Sequence, residues 1–164
     1  MTLPEQERER FCQELHHSRT SLYRLAFSIT RNSSDAQEAV AEAVCRAYER
    51  YPQLREKEKL PRWLLKITAN EARRLCQRRG RTVSLDDLPT EPAIPGRETG
   101  DDTLWQAVQT LPQDQREAVV LFYYEDLPTE EIARIVGTSP GAVRVRLSRA
   151  REKLRSILKE GDYG

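Results

Sequence analysis

Apolar residues recur at steps of three and four along most of this chain, the spacing of one face of a helix. Phe11, Leu15, Ser18, Leu22, Leu25 and Ile29 form the first such stripe, and the polar run Thr30-Arg31-Asn32-Ser33-Ser34 interrupts it. Ser34 with Gln37 has the form of a capping box, in which hydroxyl and amide satisfy each other's orphan backbone N–H groups at a new helix start. The second stripe is Ala36, Ala39, Val40, Ala43, Val44, Ala47, Tyr48 and Tyr51, closed by Pro52. Gln53 to Lys59 reads as a short charged loop. Pro61 suits the first turn of a third helix, with Trp63, Leu64, Ile67 and Leu75 as its apolar face.

The periodicity disappears between Thr82 and Thr103, where Pro89, Pro92, Pro95, Gly96 and Gly100 stand among acidic residues. A segment with so little to bury predicts a tether. Helical spacing returns at Leu104, Trp105, Val108 and Leu111, breaks at Pro112, and resumes through Ala118 to Tyr123. No strand-like alternation bounded by turns and no internal repeat is present. The expected architecture is all-α, in two small domains: a helical bundle over 1–81, a flexible acidic linker over 82–103, and a second helical domain over 104–164.

The most informative pattern lies between Thr129 and Leu147. Ile132 and Val136 mark one face of a short helix, and Ala133 is small enough for a second helix to cross closely. Gly137 can adopt the left-handed backbone that ends the first helix. Ser139 can cap the second, with Pro140 at its first position. Val143 and Leu147 then face inward, leaving Arg144, Arg146 and Arg149 to point elsewhere. The combination predicts a helix-turn-helix with a basic second helix.

Charge sharpens this picture. Over 164 residues, 27 Lys and Arg stand against 26 Asp and Glu, a net charge of +1 that by itself argues against a nucleic-acid binder. The balance averages over opposites. Seven basic residues between Arg62 and Arg81 face Glu71 alone, and seven between Arg144 and Lys159 face Glu152 alone; the stretch between these blocks is acidic. Two nucleic-acid contact surfaces, one in each half, are the expectation.

Other chemistries find little support. With 38% hydrophobic and 32% charged residues, no run long and apolar enough to span a bilayer occurs, and the first residues have no secretory pattern, so a cytoplasmic protein is expected. Cys12, Cys45 and Cys76 are odd in number and widely spaced, and read as reduced thiols. Cys12 and His16 share a helix face, but two ligands do not make a metal site. With His16 and His17 the only histidines and no phosphate-cradling glycine loop, neither catalysis nor a cofactor or metal is expected.

The block Leu104 to Leu154, including Leu111-Pro112-Gln113-Asp114-Gln115-Arg116-Glu117 and Ser148-Arg149-Ala150-Arg151-Glu152-Lys153-Leu154, resembles region 4 of the extracytoplasmic-function (group four) bacterial sigma factors. Leu22-Tyr23-Arg24-Leu25-Ala26, Asp35-Ala36-Gln37-Glu38, Arg46-Ala47-Tyr48 and the run from Leu60 to Asn70 resemble region 2, in the same order. The resemblance implies a promoter-specificity subunit. Asp35, Glu38, Glu42, Arg46 and Glu49 match the helix that docks on the clamp helices of the largest subunit of core RNA polymerase. Leu54, Arg55 and Lys57 fall in the loop that takes up a flipped −10 base, and Arg62, Asn70, Arg73 and Arg74 match the helix that meets the −10 strands. Arg144, Arg146 and Arg149, with Ser139 and Ala142 near the DNA backbone, match the −35 reader, and Arg151 a phosphate contact. Pro128 stands where the family commonly has a capping serine, so Thr129 is expected to open the first helix of the motif. The family also implies an anti-sigma partner, often membrane-tethered, and no insertion of this chain into a membrane. The alternative is a stand-alone helix-turn-helix regulator whose N-terminal half dimerises.

Overall fold

The computed structural model describes residues 3–80 and 102–161; the expected tether lies outside them except for its last two positions, which enter a helix. Among the described residues the chain is helical and contains no strand. Helices α1 (Glu5–Thr30), α2 (Ser33–Arg50) and α3 (Leu60–Arg78) pack on one another as a three-helix bundle. Ala36, Ala39, Ala43 and Ala47 form the inner stripe of α2, all but closed to solvent. Side chains that small let α2 approach both neighbours closely, so the larger Phe11, Leu22, Leu25, Leu64 and Leu75 fill the space between α1 and α3. Phe11 sits edge-on to Tyr48 and Tyr51, with ring centroids 5.5 and 5.4 Å away.

The junction between α1 and α2 corrects one expectation. Arg31 takes the left-handed conformation (φ 54°) that ends α1, and its N–H donates to the Phe27 carbonyl. Asn32 is the cap of α2, its side-chain oxygen accepting from the Asp35 N–H at 2.9 Å. Helix α2 therefore starts at Ser33, and Ser34 lies inside its first turn where it cannot cap with Gln37. The asparagine wins because its side chain reaches the third N–H from an extended backbone (φ −147°), the geometry of an N-cap.

Helix α4 (Asp102–Gln109) and α5 (Gln113–Val119) are separated at Pro112, and α5 runs into a π-helical turn over Val120–Tyr124. Helix α6 (Thr129–Val136) begins at Thr129 as expected, after an extended Pro128 that makes no side-chain cap. Helix α7 (Pro140–Gly161) follows a three-residue turn. Gly137 is left-handed at φ 75° and its N–H closes on the Ala133 carbonyl at 2.9 Å; the Ser139 hydroxyl accepts from the Ala142 N–H at 3.1 Å. Nothing within 4 Å would obstruct a Cβ at Gly137, so a substitution there meets only backbone strain. Gly137→Ala should therefore lower stability by about 1–2 kcal/mol, read in chemical denaturation. A loss near zero would mean the turn relaxes to another conformation.

The second set of helices does not stand apart from the first. Helix α1 packs on α5 and the π turn, and α3 packs on α6, so buried side chains run as one cluster from Phe11 to Ala150. Trp105, 5% exposed, lies against Phe27 of α1 (centroids 6.4 Å) and edge-on to Tyr124 (5.4 Å). Beside it Arg24 pairs with Glu125 at 2.9 Å and lies over the Tyr124 ring.

Candidate nucleic-acid and polymerase interfaces

Helix α7 buries Val143, Leu147 and Ala150 against the rest of its half. At about 100° per residue, the opposite crest is formed by Val145, Ser148 and Arg149, with Ala142 close to it. Val145 is 47% exposed, a large aliphatic side chain displayed to solvent on a helix rich in arginine. Arg149 is exposed on that face, to one side of the central Val145. Arg144 and Arg146, expected to act with it, lie on opposite edges: Arg144 is exposed, whereas Arg146 is half-buried with its Nε 3.7 Å from Asp114. Arg151 turns away from the crest, its Nε donating to the Tyr123 hydroxyl at 2.6 Å and its guanidinium lying over the Phe122 and Tyr123 rings. Ser139 is exposed and engaged as the helix cap. The result is a solvent-facing surface with Arg149 on its crest and a cation at either edge.

In α3, Arg62, Lys66, Asn70, Arg73 and Gln77 step by four and three along one stripe. Two of its cations are engaged by the other half of the protein. Arg73 pairs with Glu117 of α5 at 2.6 Å, and Arg62 with Glu131 of α6 at 3.2 Å. Asn70 remains exposed, accepting from Arg73 at 3.4 Å. Arg74 projects beside the stripe and pairs with Glu71, which also holds Arg46 of α2 at 2.8 Å. In the preceding loop, two short 3-10 turns (Tyr51–Gln53 and Lys57–Lys59) give the charged stretch a defined shape. Leu54 packs partly on the core, Lys57 donates to the Tyr51 carbonyl at 2.7 Å while capping its ring at 3.9 Å, and Arg55 stays exposed. Burial of Tyr51 raises its phenol above the usual value, and the Glu7 carboxylate adds to the shift. The hydroxyl stays neutral at physiological pH and leaves Lys57 facing an uncharged ring.

The expected polymerase surface on α2 is smaller than its spacing implies. Glu38, Glu42 and Glu49 are exposed along one face. Asp35 is only 2% exposed and bonded to Arg79, and Arg46 is drawn toward Glu71, so neither carboxylate nor guanidinium of these two is free for a partner. Burial of Asp35 follows from its place as the third residue of α2, where its N–H meets the Asn32 cap and its side chain meets the end of α3. Glu38 shares Arg79 at 2.9 Å but keeps much of its surface in water.

The sequence gives no local sign of Glu117, Glu131, Glu125 and Arg116 as partners of the first half. They appear in it as ordinary charges on amphipathic helices, and only the docking of α5 and α6 on α1 and α3 brings them to their partners. Among the described residues no group of three or more His, Cys, Asp or Glu could hold a metal, Cys12, Cys45 and Cys76 form no disulfide, and no helix is long and apolar enough to cross a membrane.

A three-helix bundle with a basic third helix, followed by a helix-turn-helix with a basic second helix, is the architecture of a two-part DNA-binding protein. The family models described as Sigma-70 region 2 and Sigma-70, region 4 match residues 15–82 and 101–154. The RNA polymerase sigma factor SigV of Bacillus subtilis is 32% identical over 142 residues, which cover 85% of this chain and 86% of that relative. The ECF RNA polymerase sigma factor EcfG of Rhodopseudomonas palustris is 32% identical over 143 residues, covering 84% and 79% of the two chains. The sigma factor RpoE of Bartonella quintana, solved in complex with the anti-sigma factor NepR, superposes with a TM-score of 0.76 at 26% identity, over 91% of this chain and 96% of that one. CnrH, solved with the cytosolic domain of CnrY, shares the fold at a TM-score of 0.65 and 23% identity, over 92% and 88% of the two chains. The chain belongs to the extracytoplasmic-function group of RNA polymerase sigma factors, with regions 2 and 4. Sigma factors are transcription initiation factors and not enzymes in themselves.

Proposed function

We propose that this protein directs core RNA polymerase to a narrow set of promoters, the first domain (1–81) engaging the clamp helices and the −10 element and the second (104–164) the −35 element. The single observation that carries this reading is the pairing of a region 2 match and a region 4 match, in order, on two helical units that each present a basic helix. Glu38, Glu42 and Glu49 offer acidic complementarity to the polymerase, with Asp35 and Arg46 holding α2 against α3 behind them. Asn70, Arg73 and Arg74, with Arg62, meet the −10 strands, and the loop bearing Leu54, Arg55 and Lys57 takes up the flipped base and so starts melting. Arg149, flanked by Arg144 and Arg146, enters the −35 major groove; Ser139 and Ala142 lie at its backbone edge, and Arg151 supports the helix more than it reads DNA. The work is done in the cytoplasm, and an anti-sigma protein is the regulatory partner, a reading supported by the likeness to RpoE in its complex with NepR.

The packed arrangement of the two halves bears on how the free protein meets DNA. Arg73 and Arg62 are engaged by Glu117 and Glu131, so phosphates reaching these two arginines compete with the contact between the halves. Core polymerase shifts that competition by fixing the two domains at promoter spacing, where two weak contacts add into one strong one. Glu117→Gln should accordingly raise the affinity of the free protein for a −10 single strand severalfold, measured by fluorescence anisotropy at fixed salt. An unchanged affinity would show that Arg73 does not contribute to strand binding.

In vitro transcription with purified core polymerase tests the main reading. Promoter-dependent transcripts in the absence of any other sigma subunit support it. Specific duplex binding by the free protein without core-dependent initiation would instead favour a stand-alone regulator.

A further inference from the structure

Between the end of α1, the α4–α5 junction and α7 lies a cavity of about 540 Å³, within the range of small-molecule sites, about 300–1,000 Å³. Three of the side chains lining it are cationic, Arg31, Arg116 and Lys153, and no carboxylate does. Arg116 is 2% exposed; its Nε donates to the Ser28 carbonyl and a terminal nitrogen to the Leu111 carbonyl at 2.7 Å, so both bonds go to neutral acceptors. Arg31 is 9% exposed, held at a left-handed backbone, and its buried Nε has no hydrogen-bond partner among the described residues. Lys153 is exposed at the rim of the cavity.

Two guanidinium groups are buried beside each other and no carboxylate lines the cavity with them, an arrangement that is costly. The titration behaviour reflects that cost: burial lowers Arg116 to about 10, with repulsion from Arg31 adding to it and Glu117, Cys76 and Asp114 only partly offsetting it, and burial lowers Arg31 as well. Most other partly buried cations in this protein have a carboxylate, as Arg24, Arg46 and Arg73 do. The hydroxyls of Thr30 and Thr110 and the amide of Gln113 complete a wall of polar groups, and Ile29, Leu111 and Pro112 supply an apolar one.

We propose that this cavity binds a phosphate-bearing small molecule of nucleotide size, its phosphates bridging Arg31, Arg116 and Lys153 and its remaining atoms lying on the apolar wall. The cation count suits a di- or triphosphate, and the volume exceeds what a lone phosphate fills. The walls come from both halves of the chain, so an occupied site ties α1 and α3 to α5 and α7.

The test is calorimetric titration of the full chain, with EDTA and at constant ionic strength, using inorganic phosphate, pyrophosphate and GTP as probes. One saturable site is expected, with GTP and pyrophosphate binding at least tenfold tighter than phosphate. Lys153→Gln, a change on an exposed helix surface, should weaken GTP at least tenfold, and Arg31→Asn, which keeps a residue tolerant of the left-handed backbone, should do the same; circular dichroism confirms that each variant is folded. Absence of saturable binding, or equal affinity in wild type and Lys153→Gln, overturns the site. Equal affinity for phosphate and GTP overturns the nucleotide-sized ligand. The measurement contains neither polymerase nor DNA, so its failure leaves the promoter reading intact.

Discussion

Arg149→Ala should reduce promoter-dependent transcription by the reconstituted polymerase about 10- to 100-fold while leaving binding to core unchanged. Arg149 is a cation on the solvent crest of α7, beside Val145 and on the far side from the buried Val143, Leu147 and Ala150. An arginine there can address a guanine through two hydrogen bonds, and losing a good bidentate pair costs about 1–3 kcal/mol of discrimination. Arg146 shares its charge with Asp114 and sits at an edge, so its removal should cost less; Arg144, exposed at the other edge, should fall between. Arg151→Ala should act differently, loosening the packing of Tyr123 and Phe122 before it affects DNA. Measured on a promoter series with single −35 substitutions, Arg149→Ala should also flatten the preference at one base pair. Full activity with intact selectivity would remove α7 as the reading helix.

Trp105→Ala should destabilise the whole protein by about 3–5 kcal/mol, the cost of truncating a buried aromatic side chain and leaving its cavity. Trp105 is almost closed to solvent and touches both halves, Phe27 on α1 and Tyr124 at the end of the π turn. Its loss should also split the unfolding transition. With this aromatic link gone, the halves are joined by a smaller apolar contact, the Arg116 bond to the Ser28 carbonyl and the ion pairs Arg24–Glu125, Arg73–Glu117 and Arg62–Glu131. Denaturation followed by tryptophan-independent probes in each half should then show two transitions where the wild type shows one. A loss below 1 kcal/mol with a single transition would mean that Phe27 and Trp105 are not in contact in solution.

The helices themselves were legible because their signals are local. The stripe from Phe11 to Ile29 is buried at nearly every position, Pro52 and Pro112 break helices where a missing N–H must, and Gly137 with Ser139 forms the turn its residue types require. The start of α2 was misread for an equally local reason: Asn32, Ser33 and Ser34 can all cap, and backbone geometry chose among them. Leu104 shows the limit of periodicity, since it belongs to the apolar stripe of α4 yet is 37% exposed. A helix face can be inferred from spacing, but whether anything covers it depends on a neighbour.

The same division holds for the functional surfaces. Sequence alone determined an all-α chain, two basic helices, a helix-turn-helix, and a resemblance specific enough to place the chain in its family. It could not rank Arg144, Arg146 and Arg149, or separate the accessible Glu38, Glu42 and Glu49 from the buried Asp35, because charges at helical spacing look alike until each is given a partner. Only the tertiary structure decided that Arg62 and Arg73 are held by acids of the other half, and that Arg31 and Arg116 meet across a cavity without a carboxylate. The physical reason is range: helix formation depends on residues within a turn or two of one another, whereas these pairings join positions 44 (117 − 73) to 85 (116 − 31) residues apart and exist only once apolar burial has docked the helices.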